Sequence, residues 1–332
     1  MPLKSEIMDA LQQIRKPIEV DMERYGSVFD ENMQSSTPIL HAVLQTLARR
    51  KGKMMRPMLT LLSARLAAGV VTDKTINAAV AFEFFHTASL IHDDIVDESD
   101  KRRGQQSVNA ANGNRVAVLV GDFILATALR CAALTEMPRV IGVLSEAAQK
   151  LACGELLQLD TVAQDEVSEQ VYLDIIRNKT AALFAACGEA GVLSVSSDKL
   201  ITSTMRAFGE HVGICFQIRD DIFDYYQDSQ IGKPTGNDMR EGKLTLPVIH
   251  ALLATKNAEM MVLAHRVKAG DASAEEIAVL VDFTKQNGGI EYAEQVMADY
   301  AEKAKRLLDR FPASDVKQAL GAYVDFVIGR QI

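Results

Sequence analysis

The chain has 332 residues, of which 48% are hydrophobic and 24% charged, and this ordinary globular composition excludes an intrinsically disordered protein. Its net charge is −8 and it has no basic tail, which disfavours nucleic acid as a partner. None of the eight prolines lies between Pro57 and Pro138 or between Pro138 and Pro234. Because proline ends helices, these intervals predict a chain of long helices rather than an all-β sandwich or barrel.

In chain order, the sequence predicts about 12 helices joined by short loops. The helices are expected over residues 5–25, 39–49, 55–69, 74–98, 114–134, 138–161, 168–191, 198–228, 243–255, 274–286, 290–311 and 314–330. Loops are marked by lysine, glycine, asparagine and proline at 51–53, 112–114 and 232–237. No linker or low-complexity tract divides the chain, so we expect one all-α domain over residues 1–332.

Two of the predicted helices are apolar on almost every side, over residues 78–92 and 207–218. Such helices belong at the centre of a bundle, surrounded by other helices. Gly209 and Gly213 are four residues apart in the second stretch, which predicts close approach of a neighbouring backbone.

The cysteines and the N-terminus indicate the compartment. Cys131, Cys153, Cys187 and Cys215 lie far apart without CxxC spacing, so we expect buried thiols in a reducing cytosol, not disulfides or a zinc site. The N-terminus is charged and amphipathic and lacks the apolar core of an export signal. No uninterrupted apolar run approaches the ~18 residues that span a bilayer, so we expect a soluble cytoplasmic protein.

Both central helices end in nearly the same acidic string, HDDIVD at residues 92–97 and RDDIFD at 219–224. Residues four apart share a helix face, so the outer aspartates of each string face the same way and the middle one turns roughly 100° away. A single such string usually forms a solvated helix end, but two copies on buried helices indicate cation binding. Mg²⁺ takes carboxylates with open positions and completes its shell with water and phosphate oxygens.

Cations lie in several places where they suit phosphate. Lys53 and Arg56 precede a predicted helix, Arg102 and Arg103 follow the first acidic string, and Lys179 with Thr180 interrupts an apolar helix. The second acidic string is followed by Lys233 and Lys243. Each alone is usually a surface charge. Arginine binds phosphate in a bidentate manner and lysine acts as a point charge, so together they suit two diphosphates.

These motifs occur in the order seen in one family. The chain resembles the trans-isoprenyl diphosphate synthases (polyprenyl synthetases), and most closely the long-chain, octaprenyl-like members. The resemblance covers nearly the whole chain and rests on GKMMRP, FEFFHTASLIHDDIVDESDKRRG, VLVGDF, GELLQLD, NKTAALF, FQIRDDIFDY, GKPTGND and EGKLTLP. It implies the isoprenoid synthase fold, a single large orthogonal bundle around a central apolar tunnel, and a homodimer.

The resemblance also implies roles for single residues. Mg²⁺, three ions per active site with substrate bound, would be held by Asp93, Asp97 and Asp220. The catalytic set comprises these three with Asp94, Asp221, Asp224 and Lys179. The allylic diphosphate would contact Arg102, Lys179, Thr180, Gln217, Lys233 and Lys243. Isopentenyl diphosphate would contact Lys53, Arg56, His86 and Arg103.

The implied reaction is a head-to-tail condensation of isopentenyl diphosphate onto an allylic diphosphate such as farnesyl diphosphate. Product length should depend on the depth of the apolar tunnel below Asp93. Ala88 and Ser89 are small and predict growth beyond C15, while a floor is expected from Phe82, Ala132 or Leu144. We expect a product near C40, within C30 to C50, that serves as a quinone side chain and contacts a membrane transiently at release.

Two departures and several alternatives stay open. Arg219 precedes the second acidic string without an assigned role, and the C-terminus, GRQI, lacks a strongly basic tail. A C20 synthase and a non-catalytic subunit of a heteromeric synthase are the alternatives within the family, although such subunits typically have degraded aspartate motifs. A terpene cyclase would not need Lys53, Arg56 and Arg103 together. An acidic metal-storage bundle would need Glu-x-x-His pairs, which do not accompany these aspartates.

Overall fold

The computed structural model describes residues 4–50, 52–102, 104–162, 167–226 and 235–330. Within them the chain is almost entirely helical. The α-helices are α1 (Lys4–Arg15), α2 (Glu19–Asn32), α3 (Pro38–Arg49), α4 (Met55–Ala68), α5 (Asp73–Val96), α6 (Val108–Asn112), α7 (Asn114–Leu134), α8 (Pro138–Val162), α9 (Glu169–Ile176), α10 (Ala182–Leu193), α11 (Lys199–Phe223), α12 (Asn237–Arg240), α13 (Leu246–Thr255), α14 (Ala258–Lys268), α15 (Ala274–Gln286), α16 (Gly289–Leu308) and α17 (Asp315–Gly329). The all-α prediction is confirmed.

The secondary structure differs from the predicted one in four main respects. The helix expected over 5–25 is split by a 3₁₀ turn, Lys16–Ile18, because Pro17 has no backbone N–H to donate. After this turn, α2 continues to Asn32. The helix expected over 168–191 contains a π-helical turn at Arg177–Ala181. Three helices, α6, α12 and α14, were not predicted. Nor was an antiparallel hairpin of β1 (Lys101–Arg102) and β2 (Gln105–Gln106).

The centre of the bundle is formed by α4, α5, α10 and α11. Every residue of α10 is buried, so this helix is more central than either stretch singled out by composition. The predicted close approach occurs where α11 crosses α10. A Cβ at Gly209 would lie 2.3 Å from the Phe184 carbonyl oxygen, and one at Gly213 would lie 2.5 Å from the Ala181 Cα. Both contacts are too short for any other residue.

Two surface features qualify the sequence predictions. Cys153 is exposed on α8, so the expectation that all four thiols are buried is wrong for this one. Helix α7 is long and apolar enough to cross a membrane by length and composition, and 44% of its most apolar window is buried. Its buried side packs along α5, while Leu119 and Leu129 face outward.

Candidate functional site

Both aspartate motifs lie in the last turn of a long central helix. Asp93 and Asp94 belong to the last turn of α5, and Asp97 is its C-terminal cap. On α11, Asp224 is likewise the C-terminal cap. A helix C-terminus carries partial negative charge and disfavours carboxylates. Since both placements oppose helix stability, cation binding accounts for them better than helix formation does.

In the first motif, the middle aspartate forms an ion pair with an arginine. Asp94 is buried, and its Oδ1 accepts hydrogen bonds from Arg102 at 2.8 Å (Nε) and 2.6 Å (Nη2). Arg102 belongs to β1, so this pair fixes the hairpin against the end of α5. Asn109 donates to the Asp94 carbonyl and holds the same segment. Asp94 therefore organises the rim of the site.

The other face of the first motif lies near a lysine and a second acid. Burial raises the pKa of Asp93 to about 6; the negative charges of Glu155 and Asp97 act in the same direction, and Lys179 opposes them. Lys179 Nζ donates to Glu155 at 2.8 Å. Carboxylates crowded in this way are stabilised by a cation, and their hard oxygens match the ligands that Mg²⁺ prefers.

Lys179 reaches this position because of two local features. It lies in the π-helical turn, which bulges out of the helical path. Opposite it on α8 is Gly154, where a Cβ would lie 2.8 Å from the Lys179 backbone nitrogen. Only glycine permits this approach. Sequence reasoning assigned no role to Glu155, although it lies in the quoted string GELLQLD directly after this glycine.

In the second motif, the first aspartate pairs with an arginine side chain near the end of the chain. Asp220 Oδ1 accepts from Arg330 Nη2 at 2.6 Å, and the Arg330 guanidinium stacks 3.8 Å from the Phe216 ring centroid. Burial raises the pKa of Asp220, and Arg330 opposes that shift. Arg219 Nε donates to the Arg330 carbonyl at 3.1 Å. The two departures in the sequence thus belong together: Arg219 tethers a C-terminal arginine beside the second motif.

The middle aspartate of the second motif is held by a hydrogen-bonded chain. Asp221 is buried and accepts from Tyr172 Oη at 2.6 Å and from Gln217 Nε2 at 2.8 Å. Thr180 Oγ1 donates to Gln217 at 2.7 Å. Burial raises the pKa of Asp221 to about 7, although the bonds from Tyr172 and Gln217 act in the opposite direction. Tyr172, on α9, is a second residue to which sequence reasoning assigned no role.

The last aspartate of the second motif holds the segment that follows. Asp224 accepts the backbone N–H groups of Asn237 at 2.9 Å and Asp238 at 3.0 Å. Three residues beyond α12, Lys243 Nζ lies 3.7 Å from Asp97 Oδ1 in the first motif and 2.7 Å from Glu241. One lysine thus lies between the segment held by the second motif and the first motif, so the two motifs are near each other.

The predicted substrate residues sort into two cavities. A cavity of about 770 Å³ is bordered by Lys53, Arg56, His86, Asp94 and Arg102. A smaller one, of about 170 Å³, is bordered by Lys179, Thr180, Gln217, Asp221 and Lys243. The described cations and polar residues are therefore divided in the way that the resemblance implies, with one exception. Arg102 was expected with the allylic diphosphate residues but borders the larger cavity. Arg103 and Lys233 lie outside the described residues.

The residues predicted to set the product length lie in the protein interior or are half-buried. Phe82, Ala88, Ala132 and Leu144 are buried and Ser89 is half-buried. Phe82 and Ala132 have no accessible surface, so a product that reached them would have to displace neighbouring side chains.

The aspartates do not form a closed metal site by themselves. In the described part of the chain, no three His, Cys, Asp or Glu side chains are grouped closely enough to hold a metal ion. Mg²⁺ usually binds through one or two carboxylates together with water and substrate phosphates, so an open arrangement fits it. An all-α fold with two cation-lined cavities, one reaching Asp94 and the other Asp221, is typical of the class of proteins that bind diphosphates with the help of a divalent metal ion.

Comparisons with known proteins agree with that class. Residues 37–283 match the model of the family described as polyprenyl synthetase. The octaprenyl diphosphate synthase of Haemophilus influenzae is 33% identical over 96% of this chain and 96% of its own. The chain belongs to the polyprenyl synthetase family, and it is a trans-prenyl diphosphate synthase.

Two solved structures are close in fold. A geranylgeranyl pyrophosphate synthase from Bacteroides thetaiotaomicron is 46% identical, has a TM-score of 0.86, and is matched over 97% of this chain and 100% of its own. A polyprenyl synthase from Caulobacter crescentus CB15, complexed with calcium and isoprenyl diphosphate, is 35% identical with a TM-score of 0.90, over 97% and 98% of the two chains. The isoprenoid synthase fold is thereby confirmed.

Proposed function

We propose that this protein condenses isopentenyl diphosphate with an allylic diphosphate such as farnesyl diphosphate in an Mg²⁺-dependent reaction. The observation that carries the proposal is the division of the predicted cations between two cavities, each of which reaches the middle aspartate of one motif, Asp94 in the larger and Asp221 in the smaller. Such a reaction needs two separate diphosphate sites. The calcium and isoprenyl diphosphate in the Caulobacter structure are consistent with it.

Each group of residues has a defined task in this proposal. Asp93, Asp97 and Asp220 would hold the Mg²⁺ ions, three with substrate bound, which supply electrostatic stabilisation of the departing diphosphate. The allylic diphosphate is bound by the lysines and polar groups of the smaller cavity: Lys179, Thr180, Gln217 and Lys243. The diphosphate of isopentenyl diphosphate is bound in the larger cavity by Lys53, Arg56 and His86. Arg102 borders the larger cavity, so in this proposal it contacts isopentenyl diphosphate rather than the allylic diphosphate.

The covalent step needs no protein nucleophile. The allylic C–O bond breaks and the diphosphate leaves with the electron pair, so a delocalised allylic cation remains. The double bond of isopentenyl diphosphate attacks this cation and forms the new C–C bond. A proton is then lost to the released diphosphate, and the product is five carbons longer. The protein positions both reactants and excludes water, which supplies much of the rate enhancement.

For the product, we propose a chain near C40. The small side chains of Ala88 and Ser89 below Asp93 support growth beyond C15, and the Haemophilus relative is an octaprenyl synthase. The second candidate is a C20 product, which is favoured by the 46% identity to the geranylgeranyl pyrophosphate synthase.

Leu144 offers a test of the tunnel floor. We expect Leu144→Ala to lengthen the product by at least one C5 unit, because it truncates a buried side chain on α8 that we propose as part of the tunnel floor. Products are sized after dephosphorylation. The matched control is Leu200→Ala, which truncates an exposed leucine. An unchanged product distribution would remove Leu144 from the floor.

The assembly and cellular role are further parts of the proposal. We propose a cytoplasmic homodimer with a single domain over residues 1–332, supplying a quinone side chain and touching a membrane transiently as product leaves. Exposed apolar residues on α7 and α8 support a second copy as the partner: Val118, Leu119, Leu129, Leu134, Leu156 and Leu159. Both aspartate motifs are intact, which argues against a non-catalytic subunit.

The direct experiment is incubation with labelled isopentenyl diphosphate, farnesyl diphosphate and Mg²⁺, followed by product sizing. A ladder ending near C40 supports the proposal, and a stop at C20 selects the second candidate. EDTA must abolish incorporation. Failure to incorporate label from either farnesyl or geranyl diphosphate would overturn the catalytic assignment and favour the non-catalytic subunit.

A further inference from the structure

The larger cavity extends well beyond the residues assigned to isopentenyl diphosphate. It is about 770 Å³, several times the volume of a C5 diphosphate, and among the described residues it is lined by seven Arg or Lys and two acids. One of the two acids, Asp94, is paired with Arg102. The cavity is therefore strongly positive, although the whole chain carries a net charge of −8.

Two arginines of this lining have no role in the proposed function. Arg15 is the last residue of α1, and Arg49 is the last residue of α3. Both side chains are exposed, and neither has a hydrogen bond or ion pair with another described residue. A cation in the last turn stabilises its own helix, which explains each arginine separately. It does not explain why two helices place, at the same cavity, guanidinium groups that pair with no other described residue.

Exposure along the cavity shows which end is the entrance. Arg15, Arg49 and Lys53 are exposed, whereas Arg56 and Arg102 are half-buried. The exposed cations thus lie where the cavity opens to solvent, and the half-buried ones include Arg102, which pairs with the motif aspartate Asp94.

The same cavity also has an apolar part of its wall, which includes Leu11, Phe29, Met33 and Leu47. An amphiphilic anion with a short hydrocarbon tail would match both linings. Isopentenyl diphosphate has this chemistry.

We infer that Arg15 and Arg49 form an outer subsite that binds the diphosphate of isopentenyl diphosphate as it enters the larger cavity. The inference rests on the proposed function. A cleft lined by charges of one sign concentrates an oppositely charged substrate and raises its association rate. Here the subsite also offsets the repulsion between a trianionic substrate and a protein of net charge −8. Chemically, released inorganic diphosphate could use the same subsite, and the test separates the two.

The test compares Arg15→Gln/Arg49→Gln with Arg139→Gln/Lys199→Gln. The control removes the same two charges from exposed positions that do not line either cavity. Initial rates are measured at saturating allylic diphosphate and Mg²⁺ while isopentenyl diphosphate and KCl are varied. We expect kcat/KM for isopentenyl diphosphate to fall about five-fold at low salt in the first variant only. The loss should shrink toward 1 M salt, where the Debye length is about 3 Å.

Other parameters decide between entry, exit and a general charge effect. KM for the allylic substrate should stay at the wild-type value, and the affinity for isopentenyl diphosphate, measured by calorimetry without allylic substrate, should weaken in parallel. Equal salt dependence of the two double variants overturns the inference. So does a change confined to kcat and to inhibition by inorganic diphosphate, which would assign the arginines to product release.

Two checks keep failures distinguishable. Thermal unfolding and circular dichroism confirm that the variants fold, and each single variant should show part of the loss. If the wild-type protein makes no prenyl product, the proposed function fails. If it makes product and the double variant behaves as the control does, only the outer subsite fails.

Discussion

The two aspartate motifs have nearly the same sequence, yet the structure holds them in different ways. In the second motif every aspartate has a close partner: Arg330 for Asp220, Tyr172 and Gln217 for Asp221, and the start of α12 for Asp224. In the first motif one aspartate, the middle one, is held closely by another described residue, Arg102. Asp93 and Asp97 face acids and more distant lysines. The first motif thus leaves both outer aspartates available to cations. In the second motif Asp221 and Asp224 position their surroundings, and Asp220 would have to exchange Arg330 for Mg²⁺.

The largest expected effect is on catalysis at the first motif. Asp93→Asn should lower kcat/KM about a thousand-fold, because it removes a charge on which the proposed metal site depends. Asp224→Asn should cost far less, since the asparagine oxygen still accepts one backbone N–H of α12. Steady-state rates with both substrates at saturating Mg²⁺ measure the difference. Equal losses at the two positions would show that the motifs act alike.

The next effect concerns Tyr172. Tyr172→Phe removes the 2.6 Å hydrogen bond to buried Asp221, which should cost about 1.5–3 kcal/mol of stability. KM for the allylic substrate should rise about ten-fold, because Asp221 also orients Gln217 and, through it, Thr180. KM for isopentenyl diphosphate should change little. Tyr226→Phe, at a half-exposed tyrosine, is the control, and a similar change there would exclude a specific role.

A smaller effect is expected in the pH dependence of stability without metal. The pKa of Asp93 is raised in the fold to about 6 from 3.8, so its ionised form is disfavoured there. The resulting destabilisation is full above pH 6 and disappears as the pH falls toward 4. In EDTA, Asp93→Asn should therefore be more stable than the wild type at pH 8 by about 1–2 kcal/mol, and equal to it near pH 4. Urea unfolding at both pH values measures this.

Adding Mg²⁺ gives the complementary arm of that experiment. Wild-type stability at pH 8 should rise with Mg²⁺ and diphosphate, and the variant should gain less, because a ligand that binds only the folded state stabilises it. A wild-type protein already more stable than the variant in EDTA would mean that Asp93 is satisfied by the protein itself.

The smallest expected effect is at Arg219, which tethers Arg330. Arg219→Gln removes one partly buried hydrogen bond worth about 0.5–1.5 kcal/mol. Amide exchange should accelerate at the end of α17 and remain unchanged in α5. Arg240→Gln, which removes an arginine exposed on α12, is the control. Unchanged exchange in α17 would show that the Arg330–Asp220 pair holds the C-terminus without Arg219.

Much of the site follows from spacing along one helix. The outer aspartates of each motif lie four residues apart, so a helical period places them on one face whatever surrounds them. The long proline-free intervals predict the helices that carry them, and Gly209 with Gly213 predicts the crossing with α10. These features depend on local geometry, which a linear pattern records directly.

The helical class, the two motifs and the kinds of cation available can therefore be read from the linear pattern. Which group meets which aspartate depends on how the helices pack. Tyr172 and Asp221 are 49 residues apart, and Arg330 and Asp220 are 110 apart. Partners at such separations meet because helices pack, and the packing depends on the whole core rather than on any local period. The same reason explains why two nearly identical strings have unlike surroundings.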